Sequence, residues 1–343
     1  MPNTESNLSN IIKSIENDND NYLTTINVIK VFGNEMCWDA NRKGFRRGAQ
    51  FWPGRRMTTG PNNQIQKNTE ITPDIVVQIS SSYGLVAEVK TSLPMENSYW
   101  SKYFNQMLKY DDELEGWISP AEEAFLHDLV LIVPDNLRVK LQDYIDSNES
   151  INLGMYTRKI ALISYNKSSK ASEHFTLCRF MGKLSDPEKD ESLRTIVSIP
   201  AALVLPLYPF VFYDQPPSTS YMMSEIWGRI ASYIDLDQMV EDKSKVVIRF
   251  SEKQLIEDLK NSNSSYYDDP RIPELPRALW VRKGLKKLVA LGYIKPGHEN
   301  GHYFIEWLKY RHVKSPLDTF NEKIAMAEEA KKEKRGQLAL FKK

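Results

Sequence analysis

Ile71-Thr72-Pro73-Asp74-Ile75-Val76-Val77-Gln78-Ile79-Ser80, followed by Leu85-Val86-Ala87-Glu88-Val89-Lys90, is the stretch that decides the fold. Both segments are rich in Ile and Val, and Ser82-Tyr83-Gly84 supplies a turn between them. The pattern predicts two strands that can pair as a hairpin. Residues two apart on a strand share a face. Glu88 and Lys90 therefore project together while Val89 points into a core, and the hairpin can bring Asp74 beside both.

Outward from this hairpin, apolar spacing predicts a helix over Tyr22–Met36 on one side and another over Tyr99–Glu113 on the other. Leu129–Val133, short and wholly apolar, reads as a buried strand stopped by Pro134. A helix over Leu137–Ile145 and strands over Lys159–Tyr165 and Phe175–Phe180 follow. This alternation is that of an α/β protein with helices packed on a central sheet. The chain has 343 residues, and about 150 residues per domain makes two domains the prior. Asp214–Ser220 has a linker's composition. The expected division is residues 1–213, residues 221–313, and a charged tail at 314–343.

Composition narrows the function. Lysine plus arginine number 45, and so do aspartate plus glutamate, so the net charge is zero. This weakens any claim of bulk attraction to a polyanion, but does not exclude local basic patches. Two distant cysteines, Cys37 and Cys178, and five scattered histidines do not make a zinc site. The polar, acidic Met1–Asn21 stretch has neither the basic start nor the apolar core of a signal peptide. The longest apolar run, Ile199–Tyr213, is too short to span a bilayer and contains three prolines. The expectation is a soluble, cytoplasmic protein.

Asp74, Glu88 and Lys90 together suit phosphodiester cleavage. Two carboxylates offer hard oxygen ligands to Mg²⁺, for which Mn²⁺ can substitute. The Val89 backbone carbonyl is a candidate third ligand. Lys90 would orient a water molecule or offset developing negative charge. Pro73-Asp74 followed by Glu88-x-Lys90 resembles the motif of the PD-(D/E)xK nucleases, and the order helix, hairpin, helix, strand resembles that family's core. Members often carry a further glutamate on the first helix, which makes Glu35 a candidate and Glu16 an alternative. Gln106 and Tyr110, four apart on one helix face, are similar to the Q-x-x-x-Y element of the RecB-like branch. In that branch such residues sit at the active-site rim and touch nucleic acid. The resemblance covers roughly the first 135 residues. Many members cut both strands as dimers, so a homodimer is among the partners it implies. The basic Arg42–Arg56 stretch has two readings: Arg46, Arg47 and their neighbours track substrate phosphates, or they form a solvated loop or pair with the acidic N-terminus.

In the second unit, Ser224–Ile234 reads as a helix and Val246–Phe250 as a β-run. Ser251-Glu252-Lys253-Gln254 has capping-box form before the next helix. Over Arg277–Leu291, Val281, Leu285, Leu288 and Val289 form one helical face, and Arg282, Lys283, Lys286 and Lys287 the opposite one. No acid occurs from Leu275 to His298. Gly284 interrupts this helix at a cost of roughly 1 kcal/mol against Ala. Asn300-Gly301 between β-rich runs signals a hairpin. Helices, a basic helix and then a hairpin resemble a winged helix-turn-helix, which implies DNA contacts from the basic face. The long Asn261–Pro273 insert departs from that pattern.

Leu317–Arg335 reads as a charged helix stopped by Gly336. The following Gln337-Leu338-Ala339-Leu340-Phe341 resembles the bacterial sliding-clamp binding motif. That resemblance implies that Gln337 bonds at a pocket edge while Leu338, Leu340 and Phe341 engage an apolar cleft. A clamp tether would raise the effective concentration of a net-neutral enzyme on DNA. The combined expectation is a metal-dependent DNA nuclease in repair, restriction or anti-phage defence. The alternative is a non-catalytic DNA-binding regulator or clamp-binding adaptor.

Overall fold

The computed structural model describes residues 4–59, 70–91, 100–120, 125–148, 153–168, 174–233, 245–264, 269–297, 299–308 and 316–340. The fold is mixed α/β and divides into two compact units. One comprises Thr24–Asp214 with Tyr266–Pro273, and the other Met1–Leu23, Gln215–Ser265 and Glu274–Lys343. This differs from the expected division in three respects. Residues 1–23 group with the C-terminal unit, residues 266–273 group with the first, and the tail helix belongs to a unit instead of standing apart.

The first helix, α1 (Thr4–Cys37), is continuous. Its first half, which the sequence presented only as polar and acidic, is helical because Leu8, Ile11, Ile12 and Ile15 recur at helical spacing and are half-buried. In the first unit, α1 is followed by β1 (Trp38–Asp39), β2 (Gly44–Phe45), β3 (Gln50–Pro53), β4 (Met57–Thr59) and β5 (Glu70–Ile71). Then come β6 (Ile75–Gln78), β7 (Tyr83–Val89), α2 (Trp100–Leu108), β8 (Leu114–Glu115), β9 (Leu126–Pro134) and α3 (Arg138–Ser147). β10 (Ile160–Lys167), β11 (His174–Gly182), α4 (Pro187–Ser192), β12 (Val197–Pro200) and α5 (Ala201–Val204) complete it. The predicted strand over Ile71–Ser80 is two strands, because Pro73 lacks an amide to continue the ladder.

The main sheet has the order β12-β11-β10-β9-β7-β6-β3. β7, β9 and β10 are parallel neighbours, and the outer pairings are antiparallel. The parallel connections run through α2 and α3, as such crossovers require. On one face Val76, Val86, Leu129, Leu131 and Val133 pack against Trp100, Phe104 and Met107 of α2 and Leu141 and Ile145 of α3. On the other face α1 comes so close to β3 that a Cβ on Gly33 would clash with the Phe51 ring. The β6–β7 register sets Ile75 opposite Ala87, so the next pair outward is Asp74 and Glu88.

The other unit runs α6 (Thr219–Ala231), β13 (Lys245–Ser251), α7 (Glu252–Ser264), α8 (Ala278–Ala290), β14 (Lys295–Pro296), β15 (His302–Leu308) and α9 (Pro316–Leu340). Its strands form a sheet of order β13-β15-β14. Ser251 caps α7, its Oγ accepting the Gln254 amide at 3.1 Å. Val281, Leu285 and Leu288 are buried on α8. α9 buries Phe320, Ile324 and Ala325. The helix continues through Gly336, contrary to the expected stop. Glycine costs helix about 1 kcal/mol but does not block it, and strong helix formers flank it here. Among the described residues no helix is long and apolar enough to cross a membrane.

Candidate active site

Asp74 and Glu88 end up adjacent because one precedes the first residue of β6 and the other lies one residue from the end of antiparallel β7. Both are buried, at 7% and 2% exposure. Asp74 Oδ2 accepts the Val89 amide at 2.9 Å. Glu88 shares a face with Val86, whose side chain packs toward α2, so its carboxylate meets that helix. Gln106 Nε2 donates to Glu88 Oε1 at 2.6 Å, and the Tyr110 hydroxyl donates to the same oxygen. Lys90 Nζ lies 3.0 Å from Glu88 Oε2 and donates to Gln106 Oε1 at 3.2 Å. Five residues expected at the site thus form one connected network.

The electrostatics follow from burial. Asp74 is held well above the ordinary carboxylate range, first by desolvation and then by the neighbouring Glu88, with which it shares a hydrogen bond. Lys90 is pushed down by burial, but Glu88 and Asp74 outweigh this and hold it above the usual lysine value. The Tyr110 phenol is pushed up by burial and by Glu88, so it remains a donor.

Several contributors carry no motif. The Tyr103 ring lies beneath Lys90 Nζ, 5.0 Å from its centroid. Its position three residues before Gln106 on α2 was a signal that could have marked it. Tyr213, hydrogen-bonded with Thr25, is pushed up by burial and then by Asp74. It comes from an irregular apolar segment with no periodicity to reveal it. A recess of about 470 Å³ adjoins the network, lined by Thr72, Lys102, Asn105, Gln106, Lys109 and Tyr110 among others. Lys102, Asn105 and Gln106 form one stripe of α2, and Lys109 follows in the turn after it. Under Tyr110, buried His127 brings Nε2 within 2.8 Å of the Tyr110 carbonyl oxygen.

Other candidates lie elsewhere. Glu35 is at the C-terminal end of α1, raised by burial and partly offset by Lys189, with neither Asp74 nor Glu88 among the charges acting on it. Closeness to the helix end suggests it, but its face of α1 is the wrong one. Lys189 Nζ instead donates to the Glu35 and Trp38 carbonyls, satisfying the last turn. Glu16 is exposed in the other unit. Arg46 is engaged by Asp186 at 2.5 Å and Glu188 at 2.7 Å. Arg46 and Arg47 line a cleft with Ser80 and Ser82, at the turn end of the hairpin. Six residues of strand, roughly 20 Å, separate that turn from Glu88. Arg55 pairs with Asp269 at 2.9 Å and Arg56 with Glu70 at 3.4 Å. Arg46, Arg55 and Arg56 thus meet acids of their own unit.

Among the described residues no third His, Cys, Asp or Glu joins Asp74 and Glu88 in a metal-holding group. The donor set still suits Mg²⁺ in kind, which takes one or two carboxylates and completes its shell with water and phosphate oxygens. Two carboxylates pressed together in a buried setting are the arrangement a divalent cation relieves.

On α8, Lys283 and Lys286 are exposed and Lys287 half-buried. Arg282 is taken by Glu252 at 2.7 Å. The Gln337–Leu340 backbone is helical, while the side chains of this segment and Phe341 lie outside the described residues. No protein-family model, curated protein or solved structure matches the chain.

Proposed function

We propose that the chain is a Mg²⁺-dependent DNA nuclease acting at Asp74, Glu88 and Lys90. The observation that carries this reading is the convergence of these three residues with Gln106 and Tyr110 beside an open recess. In hydrolysis, water adds to phosphorus, one P–O bond breaks, and a phosphate monoester and a hydroxyl result. Asp74 and Glu88 would hold Mg²⁺, with the Val89 carbonyl as a further donor. A bound Mg²⁺ supplies positive charge against the phosphate. Lys90 places an ammonium where a phosphate oxygen gains charge, and burial strengthens that interaction. Gln106 on α2 and Tyr110 in the turn after it hold Glu88 in place and reach the recess themselves. Lys102 and Lys109 give the recess the charge a phosphate backbone needs.

The order α6, β13, α7, α8, β14, β15 supports a winged-helix module, with Lys283, Lys286 and Lys287 as backbone contacts and Arg282 held back by Glu252. Gln337–Phe341 remains the candidate clamp-binding peptide; to lie extended in a cleft its last helical turns would have to unwind. A pull-down with and without residues 337–341 tests it. The rival reading, a DNA-binding regulator on this fold, draws on the two-carboxylate donor set.

The deciding experiment incubates supercoiled and single-stranded DNA with the protein, with Mg²⁺ or EDTA, beside Asp74→Ala. Cleavage that needs Mg²⁺ and vanishes in Asp74→Ala is expected. DNA binding without cleavage under all conditions favours the regulator.

A further inference from the structure

At the other end of the hairpin from Asp74, the chain builds a small exposed structure from residues 38–47. β1 and β2 pair Trp38 with Phe45 and Asp39 with Gly44. The base is closed by the Arg46 amide donating to the Cys37 carbonyl at 2.9 Å. Arg46 also anchors it through its ion pairs with Asp186 and Glu188. Asp39 Oδ1 accepts the amides of Asn41 and Arg42, which fixes the turn.

Held this way, the hairpin displays two aromatic rings. Trp38 is 37% and Phe45 50% exposed, and the rings meet edge to face with centroids 5.8 Å apart. Apolar area of this kind on a two-stranded hairpin stabilises little while it faces water. The charges around it are uneven. Arg42 pairs with Asp39 only at 3.6 Å and is 79% exposed, a surface pair of small value. Lys43 and Arg47 are exposed, and neither has an acidic partner among the described residues. The adjoining cleft, about 950 Å³, is balanced because its acids Asp186 and Glu188 are engaged by Arg46. The excess positive charge therefore sits on the hairpin, beside the rings.

We infer that this hairpin is a stacking platform for single-stranded nucleic acid, with bases laid on Trp38 and Phe45 and phosphates met by Lys43 and Arg47. Exposed rings interleaved with unpaired cations match a strand whose bases are apolar-faced and whose backbone is anionic. A duplex hides its base faces and offers the rings nothing. An apolar protein partner would leave Lys43 and Arg47 unanswered. The inference rests on the nucleic-acid reading above, but it concerns a surface remote from Asp74.

The test uses the full chain in EDTA with a fluorescein-labelled oligothymidylate and a hairpin duplex of equal charge, read by anisotropy. Trp38→Leu with Phe45→Leu keeps apolar bulk and removes the rings; it should weaken oligothymidylate binding roughly tenfold or more and leave duplex binding unchanged. Trp38→Phe with Phe45→Tyr should restore it. Lys43→Gln with Arg47→Gln, both exposed and expected to fold normally, should lower the salt slope by about 0.7 for each phosphate no longer neutralised. Absence of oligothymidylate binding by the unaltered protein overturns the inference, as does equal weakening of single strand and duplex by the leucine variant. Supercoiled-DNA cleavage with Mg²⁺, run in parallel, separates the two claims. Ring-dependent binding without cleavage sinks the nuclease reading and leaves this one standing. Cleavage with ring-independent binding does the reverse.

Discussion

Lowering the pH should destabilise the first unit through His127 well before ordinary carboxylates protonate. His127 lies on β9 at 2% exposure. Its Nε2 reaches the Tyr110 carbonyl oxygen at 2.8 Å, so the neutral tautomer carries its proton there. Nδ1 is buried with no hydrogen-bond partner among the described residues. Protonation would place an unsatisfied N–H in an apolar pocket, with Arg158 adding repulsion. Burial and then Arg158 accordingly push the imidazole down to about 3 from its usual 6.5. The unfolded chain binds this proton below about pH 6.5 and the folded chain does not, so stability is present above the unfolded value and declines as pH falls toward the folded one. Each pH unit within that window is worth at most about 1.4 kcal/mol. Between pH 7 and pH 5 the loss comes to about 2 kcal/mol. For a unit of this size that corresponds to a melting temperature lower by roughly 4–8 °C.

The assay compares thermal unfolding of the unaltered chain and His127→Gln from pH 7.5 to pH 4.5. Glutamine can still donate to the Tyr110 carbonyl but does not titrate. Other groups, Asp74 among them, act equally in both proteins and cancel in the difference. The two melting curves should diverge progressively below pH 6.5, with the variant less acid-sensitive. Parallel curves would refute the reasoning, because they would mean that His127 accepts its proton in the folded state at no cost.

Gly284→Ala should destabilise the C-terminal unit by about 1 kcal/mol, although alanine favours helix. Its Cβ would lie 2.7 Å from Ile226 Cδ1 and 3.0 Å from Met222 Cγ on α6. A higher melting temperature would show that α6 and α8 are not so close. Mg²⁺ should stabilise the unaltered protein by about 1.4 kcal/mol at ten times its dissociation constant, and so raise its melting temperature. Asp74→Asn should abolish that rise yet be no less stable in EDTA, since it removes a buried like-charge neighbour of Glu88; differential scanning fluorimetry with a Mg²⁺ series reads both. Asp269→Asn should cost about 3 kcal/mol, because Arg55, 3% exposed and stacked 4.2 Å from the Trp52 ring, would be left buried without its anion. Hydrogen exchange should show residues 269–273 opening first, and unchanged protection there would count against the pair.

The parts legible in the sequence were those whose cause is local. Continuous Val and Ile runs marked β7, β9 and β10, because strands buried on both faces carry no polar alternation. Asp74, Glu88 and Lys90 were readable from strand periodicity, and Gln106 with Tyr110 from helical spacing. β3 was hidden, since Gln50-Phe51-Trp52-Pro53 is short and set in a basic, glycine-interrupted stretch. The fates of Arg46 and Arg55 were not readable either: their acids lie 140 and more residues away in sequence. Local charge counting made these arginines look available for phosphate, and long-range pairing removes them. Glu35 shows the same limit on a helix, where nearness to the end said nothing about which face meets the sheet.

At Asp74 and Glu88 the chain departs from its own habits. Asp128, as deeply buried as Asp74, is fully answered by Tyr83 at 2.6 Å and by the Ser185 hydroxyl at 2.8 Å and amide. Arg46, Arg55 and Arg179 each meet an acid. Asp74 and Glu88 are instead like charges on neighbouring antiparallel strands, an arrangement that destabilises a sheet even at its surface. Lys90, Gln106 and Tyr110 offset Glu88 but leave Asp74 with a single amide and a shared proton. Leucine or threonine at position 74 would serve the fold better. Asp128 and Arg46 are answered by partners, whereas this pair of like groups is set side by side, the kind of local conflict that collects at functional sites. On the proposed reading, these two carboxylates beside a lysine and an open recess would gain energy from a cation and a phosphate arriving together.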